Sequence, residues 1–193
     1  MKRDEKPWRF LEEYRGSHFQ GEWPTLVELF SITSERFPHR RCFSIYEPDN
    51  IFMTYKEAQE KIRQVSNYLV KLGVSYGDRV AVSGKNSPEW TIAYLAILHA
   101  GGIVVPIDYQ LKSEDITRYI SHSNSKILFV DEEKYEEIDA DGKAGVETRI
   151  SLSGKKENYI LDIEENENLP RTLPKGDDLA AILDELDRTE VSA

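Results

Sequence analysis

Cysteine occurs once, as Cys42, in a chain of 193 residues. A single thiol excludes an internal disulfide framework and any cysteine-rich metal site. The four histidines, His18, His39, His99 and His122, have no partner at ligand spacing. His99 ends an apolar helical run, so it reads as a packed or cap-bonding histidine rather than a metal ligand. Three patterns that carry common chemistries are missing as well: GxGxxG, GxxxxGK(S/T) and HExxH. The opening MKRDEKPWRF lacks the apolar core of a signal peptide, which makes the cytosol the expected compartment.

A surplus of positive charge is also lacking. The formal net charge is −10, and it is unevenly placed: residues 1–130 carry 17 basic and 16 acidic side chains, residues 131–193 carry 8 and 19. Phosphate binding needs a basic surface, so nucleic acid is not expected as a partner, and the acidic end reads as a solvated face rather than a docking tail. The longest uncharged run, Trp90 to Ile107, has 18 residues. Gly101, Gly102 and Pro106 interrupt it, so no continuous helix of about 20 residues can span a bilayer there. A buried helix followed by a buried strand explains the same run.

What the chain does have is length and apolar content enough for one ordinary domain, or for a large fragment of a bigger one, with 39% hydrophobic residues. Its organising stretch is Thr54 to Asp108. Thr54 and Glu57 form a capping pair, and Ala58, Ile62, Val65, Leu69 and Leu72 follow at four, three, four, three spacing, one apolar stripe that stops at Gly73. Gly77 and Asp78 turn the chain into the apolar run Arg79 to Ser83, which suits a strand covered on both faces. Ser87 caps the next helix with Pro88 in its first position, and Ile103 to Val105 make a further buried strand. Such a unit closes with parallel strands and a right-handed crossover.

Around this unit the expectations run in chain order. Residues 1–24 form an irregular arm, and Thr25 caps a helix that carries Val27, Phe30, Ile32 and Phe37 toward Pro38. Cys42 to Tyr46 and Ile51 to Met53 make a hairpin about Pro48, Asp49 and Asn50. Beyond Asp108, Ser113 caps a helix with Glu114 and Asp115 in its first turn and Ile116, Tyr119 and Ile120 on its buried side. Lys126 to Val130 is a short buried strand, Glu132 to Ile138 a further helix, and Val146 to Leu152 and Tyr159 to Ile163 are strand-like islands. The sum is an open α/β sheet, mainly parallel, with helices on both faces, in residues 25–176. Residues 177–193 form a divergent acidic tail, in which Asp178 to Leu186 is expected to be helical or frayed rather than a central strand: Leu179, Ile182, Leu183 and Leu186 share a face, and the aspartates favour the helix dipole.

Candidate site residues are few. SGKNSP, residues 83–88, leads from a strand end through Gly84, Lys85, Asn86 and Ser87 into a helix N-terminus whose free amides could hold an anion. Every strand-to-helix connection has that form, so a plain turn competes with anion binding. Trp90, with Tyr94 and Tyr109, could line an apolar pocket, although aromatics in such places also serve as core.

Several segments together resemble the N-terminal part of the adenylate-forming family, in particular acyl-CoA synthetases of the long-chain fatty-acid type. They are MTYKEA, LGVSYGDRVAV, NSPEW at Asn86 to Trp90, LAILHAGGIVVPID at Leu95 to Asp108 and SHSNSKILFVD ending at Asp131, in family order over residues 25–131, with a weaker likeness on to LPKGDDLAAIL. The resemblance implies a ligase that activates a carboxylic acid, such as a fatty acid, with Mg-ATP to an acyl-adenylate and passes the acyl group to CoA. In the family the Ser/Thr/Gly-rich phosphate loop follows a segment like DDLAAIL; here DELDRTEVSA follows Leu183. The family's catalytic, cofactor-binding and metal-binding residues therefore match no position of this chain. ATP, Mg and CoA are expected to act only with the missing remainder, and the chain alone is expected to be an inert fragment. The alternative expectation is a stand-alone, non-catalytic binding or regulatory module.

Overall fold

The computed structural model describes residues 8–45, 51–138, 142 and 145–183. They divide into two compact units, Met1–Gln59 with Lys175–Asp178, and Glu60–Pro174 with Leu179–Ala193.

In the first unit, a 3-10 turn at Arg9–Tyr14 leads to α1, Leu26–Arg36. Thr25 and Glu28 cap α1 reciprocally: the Glu28 amide donates to Thr25 Oγ1 at 3.3 Å and the Thr25 amide to Glu28 Oε2 at 2.7 Å. Leu11 and Phe19 of the arm bury against Ile32, so the arm carries apolar anchors of its own. Strands β1, Arg41–Ile45, and β2, Ile51–Thr54, pair antiparallel as the hairpin spacing predicts. The expected turn at residues 48–50 lies outside the described residues.

Helix α2, Tyr55–Lys71, starts where the capping pair places it, with the Thr54 amide 2.8 Å from Glu57 Oε2. Ala58, Ile62, Val65 and Leu69 are buried, while Leu72 is 38% exposed. Leu72 lies beyond the last helical residue, where Gly73 at φ +97° turns the chain and takes the stripe's phase away from the core.

In the second unit a four-stranded sheet runs in the order β4-β3-β5-β6: β3 is Arg79–Ser83, β4 Ile103–Pro106, β5 Ile127–Val130 and β6 Thr148–Ser151. Every pairing is parallel, with Ala81 opposite Val105 on one side and Leu128 on the other. Helix α3, Pro88–His99, connects β3 to β4, and α4, Ser113–Ser123, crosses back past β3 to β5. Crossovers that run in opposite directions with the same right hand put α3 and α4 on opposite faces. Ile116 and Ile120 of α4 pack on Ala81, Val105, Leu128 and Val130. Val80, Val82, Val104 and Phe129 alternate to the other face, and all four are buried.

Four expectations are corrected here. Lys112, not Ser113, is the cap position of α4, and no side chain caps that end; the Ser113 hydroxyl donates to Glu137 at 2.6 Å instead. Residues 132–138 form successive turns and no helix, with bonds such as the Glu137 amide to the Lys134 carbonyl. Ile160–Asp162 is a 3-10 turn where a strand-like island was expected. Finally, residues 179–183 are extended, not helical: Ala181 bridges Val104 in parallel, the Val104 amide donates to the Ala180 carbonyl at 3.0 Å, and the Ile182 amide to the Val104 carbonyl at 2.9 Å; positions 184–186 of that expectation lie outside the described residues. The open edge of β4 offers backbone partners that outweigh the local helix preference.

Candidate functional site

Three turns meet beyond the carboxyl ends of β3, β5 and β6, the side on which open parallel sheets hold their ligands. The first is the predicted SGKNSP turn. Ser87 caps α3 by accepting the Trp90 amide at 3.1 Å, with Pro88 at the first helical position. Gly84 packs closely here: a Cβ would lie 2.5 Å from Leu152 Cδ1 and 2.9 Å from Asp131 Oδ1, so those side-chain ends would have to shift.

One amide of the turn already has an anionic partner. Lys85 N–H donates to Asp131 Oδ2 at 2.6 Å, and the Lys85 ammonium pairs with Glu133 Oε1 at 2.6 Å on the exposed surface. Burial raises the Asp131 carboxyl above its ordinary range, partly offset by that amide bond. Next to it Glu132 accepts from Lys155 Nζ at 2.9 Å and Ser153 Oγ at 3.0 Å, bonds that hold its carboxyl below the usual range. Asn86 is exposed in the turn. Trp90 stacks on Tyr94, ring centres 5.4 Å apart and planes at 26°, so it sits on a helix face as half of an aromatic pair.

Two further polar features have no clear local sequence signal. Glu89, only 8% exposed, accepts the Tyr159 hydroxyl at 2.8 Å, and burial together with Glu89 pushes that phenol's ionisation well up. Ser83 Oγ at the end of β3 is buried without a hydrogen-bond partner. The carboxylates after β5 are visible in the sequence as the run DEE, residues 131–133, that follows a buried strand.

At this turn carboxylates engage both donors of Lys85, its amide through Asp131 and its ammonium through Glu133. Among the described residues no group of three His, Cys, Asp or Glu could hold a metal ion. No helix among them is long and apolar enough to cross a membrane.

Fold and edge geometry define a doubly wound parallel α/β sheet whose carboxyl edge is lined by charged turns. The AMP-binding enzyme model matches residues 30–183, and the chain belongs to that family. Bacitracin synthase 1 of Bacillus licheniformis is 30% identical over 151 residues, covering 77% of this chain and 3% of that protein. The 4-hydroxybutyrate–CoA ligase 2 of Metallosphaera sedula is 25% identical over 124 residues, covering 63% of this chain and 22% of that protein. A crystal structure of a long-chain-fatty-acid–CoA ligase from Archaeoglobus fulgidus superposes with a TM-score of 0.71 at 20% identity, over 86% of this chain and 36% of that one. The chain thus spans well under half the length of each of these relatives.

Proposed function

We propose that this chain is the N-terminal part of an AMP-forming carboxylate–CoA ligase, with a fatty acid as the acyl substrate, acting in the cytosol. The observation that carries the reading is the family match over residues 30–183 on a fold shared with a fatty-acid–CoA ligase. The role of the part described is scaffolding. Its sheet presents a carboxyl edge, and its turns are held by internal ion pairs rather than left open for substrate phosphates.

ATP, Mg, the carboxylate and CoA would be engaged together with the remainder of such an enzyme. Adenylation rests on positioning and on donors aimed at developing charge, and in the SGKNSP turn the Lys85 amide and ammonium are engaged by Asp131 and Glu133. The purified chain is therefore expected to show no fatty-acid-dependent exchange of pyrophosphate into ATP. Exchange that a substitution in this chain abolishes would overturn the inert-scaffold reading. A Ser/Thr/Gly-rich loop found in frame in the adjoining coding sequence would support the ligase assignment.

A further inference from the structure

Between Ile163 and the strand-like residues 179–183, the chain runs as a strap with little regular structure, and no described residue from 164 to 183 is buried. Its hold on α2 is polar. Lys61 Nζ donates to the Leu161 and Ile163 carbonyls at 2.8 and 3.0 Å, Asn67 Nδ2 to the Glu165 carbonyl at 3.1 Å, and Lys71 pairs with Glu165 at 2.6 Å. With Gln64, whose Nε2 donates to Asn166 Oδ1 at 3.4 Å, these positions form the stripe of α2 at 61, 64, 67 and 71, offset from the apolar stripe at 58, 62, 65 and 69.

One side chain of the strap reaches inward. Arg171 donates to Ser66 and Asn67, both fully buried on α2, and its Nη1 lies 3.2 Å from His99 Nδ1 at the end of α3. Its remaining donors turn back on the strap, to Asn168 at 3.0 Å and the Leu169 carbonyl at 3.4 Å, so the planar fork is fully used. Beside it a cleft of about 400 Å³, lined by Val74, Tyr76, Ala100 and Thr172, separates the strap from the helix ends.

Among the described residues, the strand that follows has one bridge to β4 and two backbone hydrogen bonds, and Leu179 and Leu183 are 64% and 77% exposed. We propose that the strap is a latch: with Arg171 seated among Ser66, Asn67 and His99, it keeps residues 179–183 docked on β4, and when Arg171 leaves, that strand leaves too. The reason is effective concentration. A pinned strap holds the strand close to β4, whereas a loose one makes its docking bear the full entropy of closing a loop from Ile163. Release would open the edge of β4 to another strand.

Amide hydrogen exchange at pH 7 tests the coupling, because the Val104 amide is protected by the Ala180 carbonyl alone while Val80 to Val82 lie inside the sheet. In Arg171→Ala the free loop before Leu179 doubles, from 8 residues after Arg171 to 16 after Ile163, so exchange at Val104 and Ile182 is expected to rise about threefold with that of Val80 to Val82 unchanged. Asn67→Ala, which leaves the guanidinium on Ser66 and His99 but removes one of its acceptors and the bond to the Glu165 carbonyl, is expected to give a smaller rise at the same two amides. Val104 exchanging at the wild-type rate in Arg171→Ala overturns the proposal. A uniform rise across β3 and β4 in both variants also overturns it, since that is general destabilisation and not release of an edge.

Discussion

Two glycines at helix ends allow a controlled comparison. Gly73 and Gly101 both hold positive φ, +97° and +87°, so an alanine at either suffers the backbone cost of that region, roughly 1–2 kcal/mol. Their surroundings differ. Nothing lies within 4 Å of a Cβ built on Gly73, whereas one on Gly101 would sit 2.5 Å from the Thr172 carbonyl oxygen and 3.5 Å from Tyr76 Cα. A backbone oxygen cannot rotate aside as a side chain can, so the strap around Thr172 must shift, at a further cost of about 1–3 kcal/mol typical of overpacking. Gly73→Ala is therefore expected to lose about 1–2 kcal/mol and Gly101→Ala about 2–5 kcal/mol. Urea unfolding with a shared slope measures both. Losses that agree within about 0.5 kcal/mol would show that Thr172 does not press on Gly101, and the reasoning about the strap's position would fail.

Leu69→Ala, at a fully buried position of α2, is expected to cost about 2–5 kcal/mol in the same assay, and a loss below about 0.5 kcal/mol would mean the stripe is not core. Ser87→Ala removes the cap of α3 and should cost about 1 kcal/mol, recovered largely by Ser87→Asp. Burial first, then the cations of Arg171 and Arg63, push His99 down to about 4 from an ordinary 6.5. A depressed folded value means that the neutral ring is what the fold favours. The contribution is complete above pH 6.5 and is lost as pH falls through about 4, roughly 3 kcal/mol in all. Urea midpoints followed from pH 7 to pH 4 should fall, and His99→Gln should flatten that part of the profile; an unchanged slope in the variant would assign the loss to other groups.

Much of the fold was legible because it is written in near neighbours. Thr25 with Glu28, Thr54 with Glu57, and Ser87 with Pro88 announce helix starts through bonds spanning three residues. Gly73 marks a helix end, and the apolar runs at β3, β4 and β5 are short enough, and separated by enough chain, to make only parallel pairs through helical crossovers. The resemblance over residues 25–131 rests on these same segments, which is why family and fold could be read before any contact was known.

The tertiary structure decided what depends on distant partners. The turn at Lys85 looked ready for an anion, but Asp131, 46 residues away, fills it, because the parallel pairing of β3 with β5 brings both strand ends together. Arg171 finds Ser66 and Asn67 more than 100 positions earlier, a contact no local pattern encodes. Residues 179–183 show the rule most plainly. Their own composition favours a helix, yet they lie extended along β4, because an unpaired strand edge supplies backbone donors and acceptors that only the assembled sheet can offer.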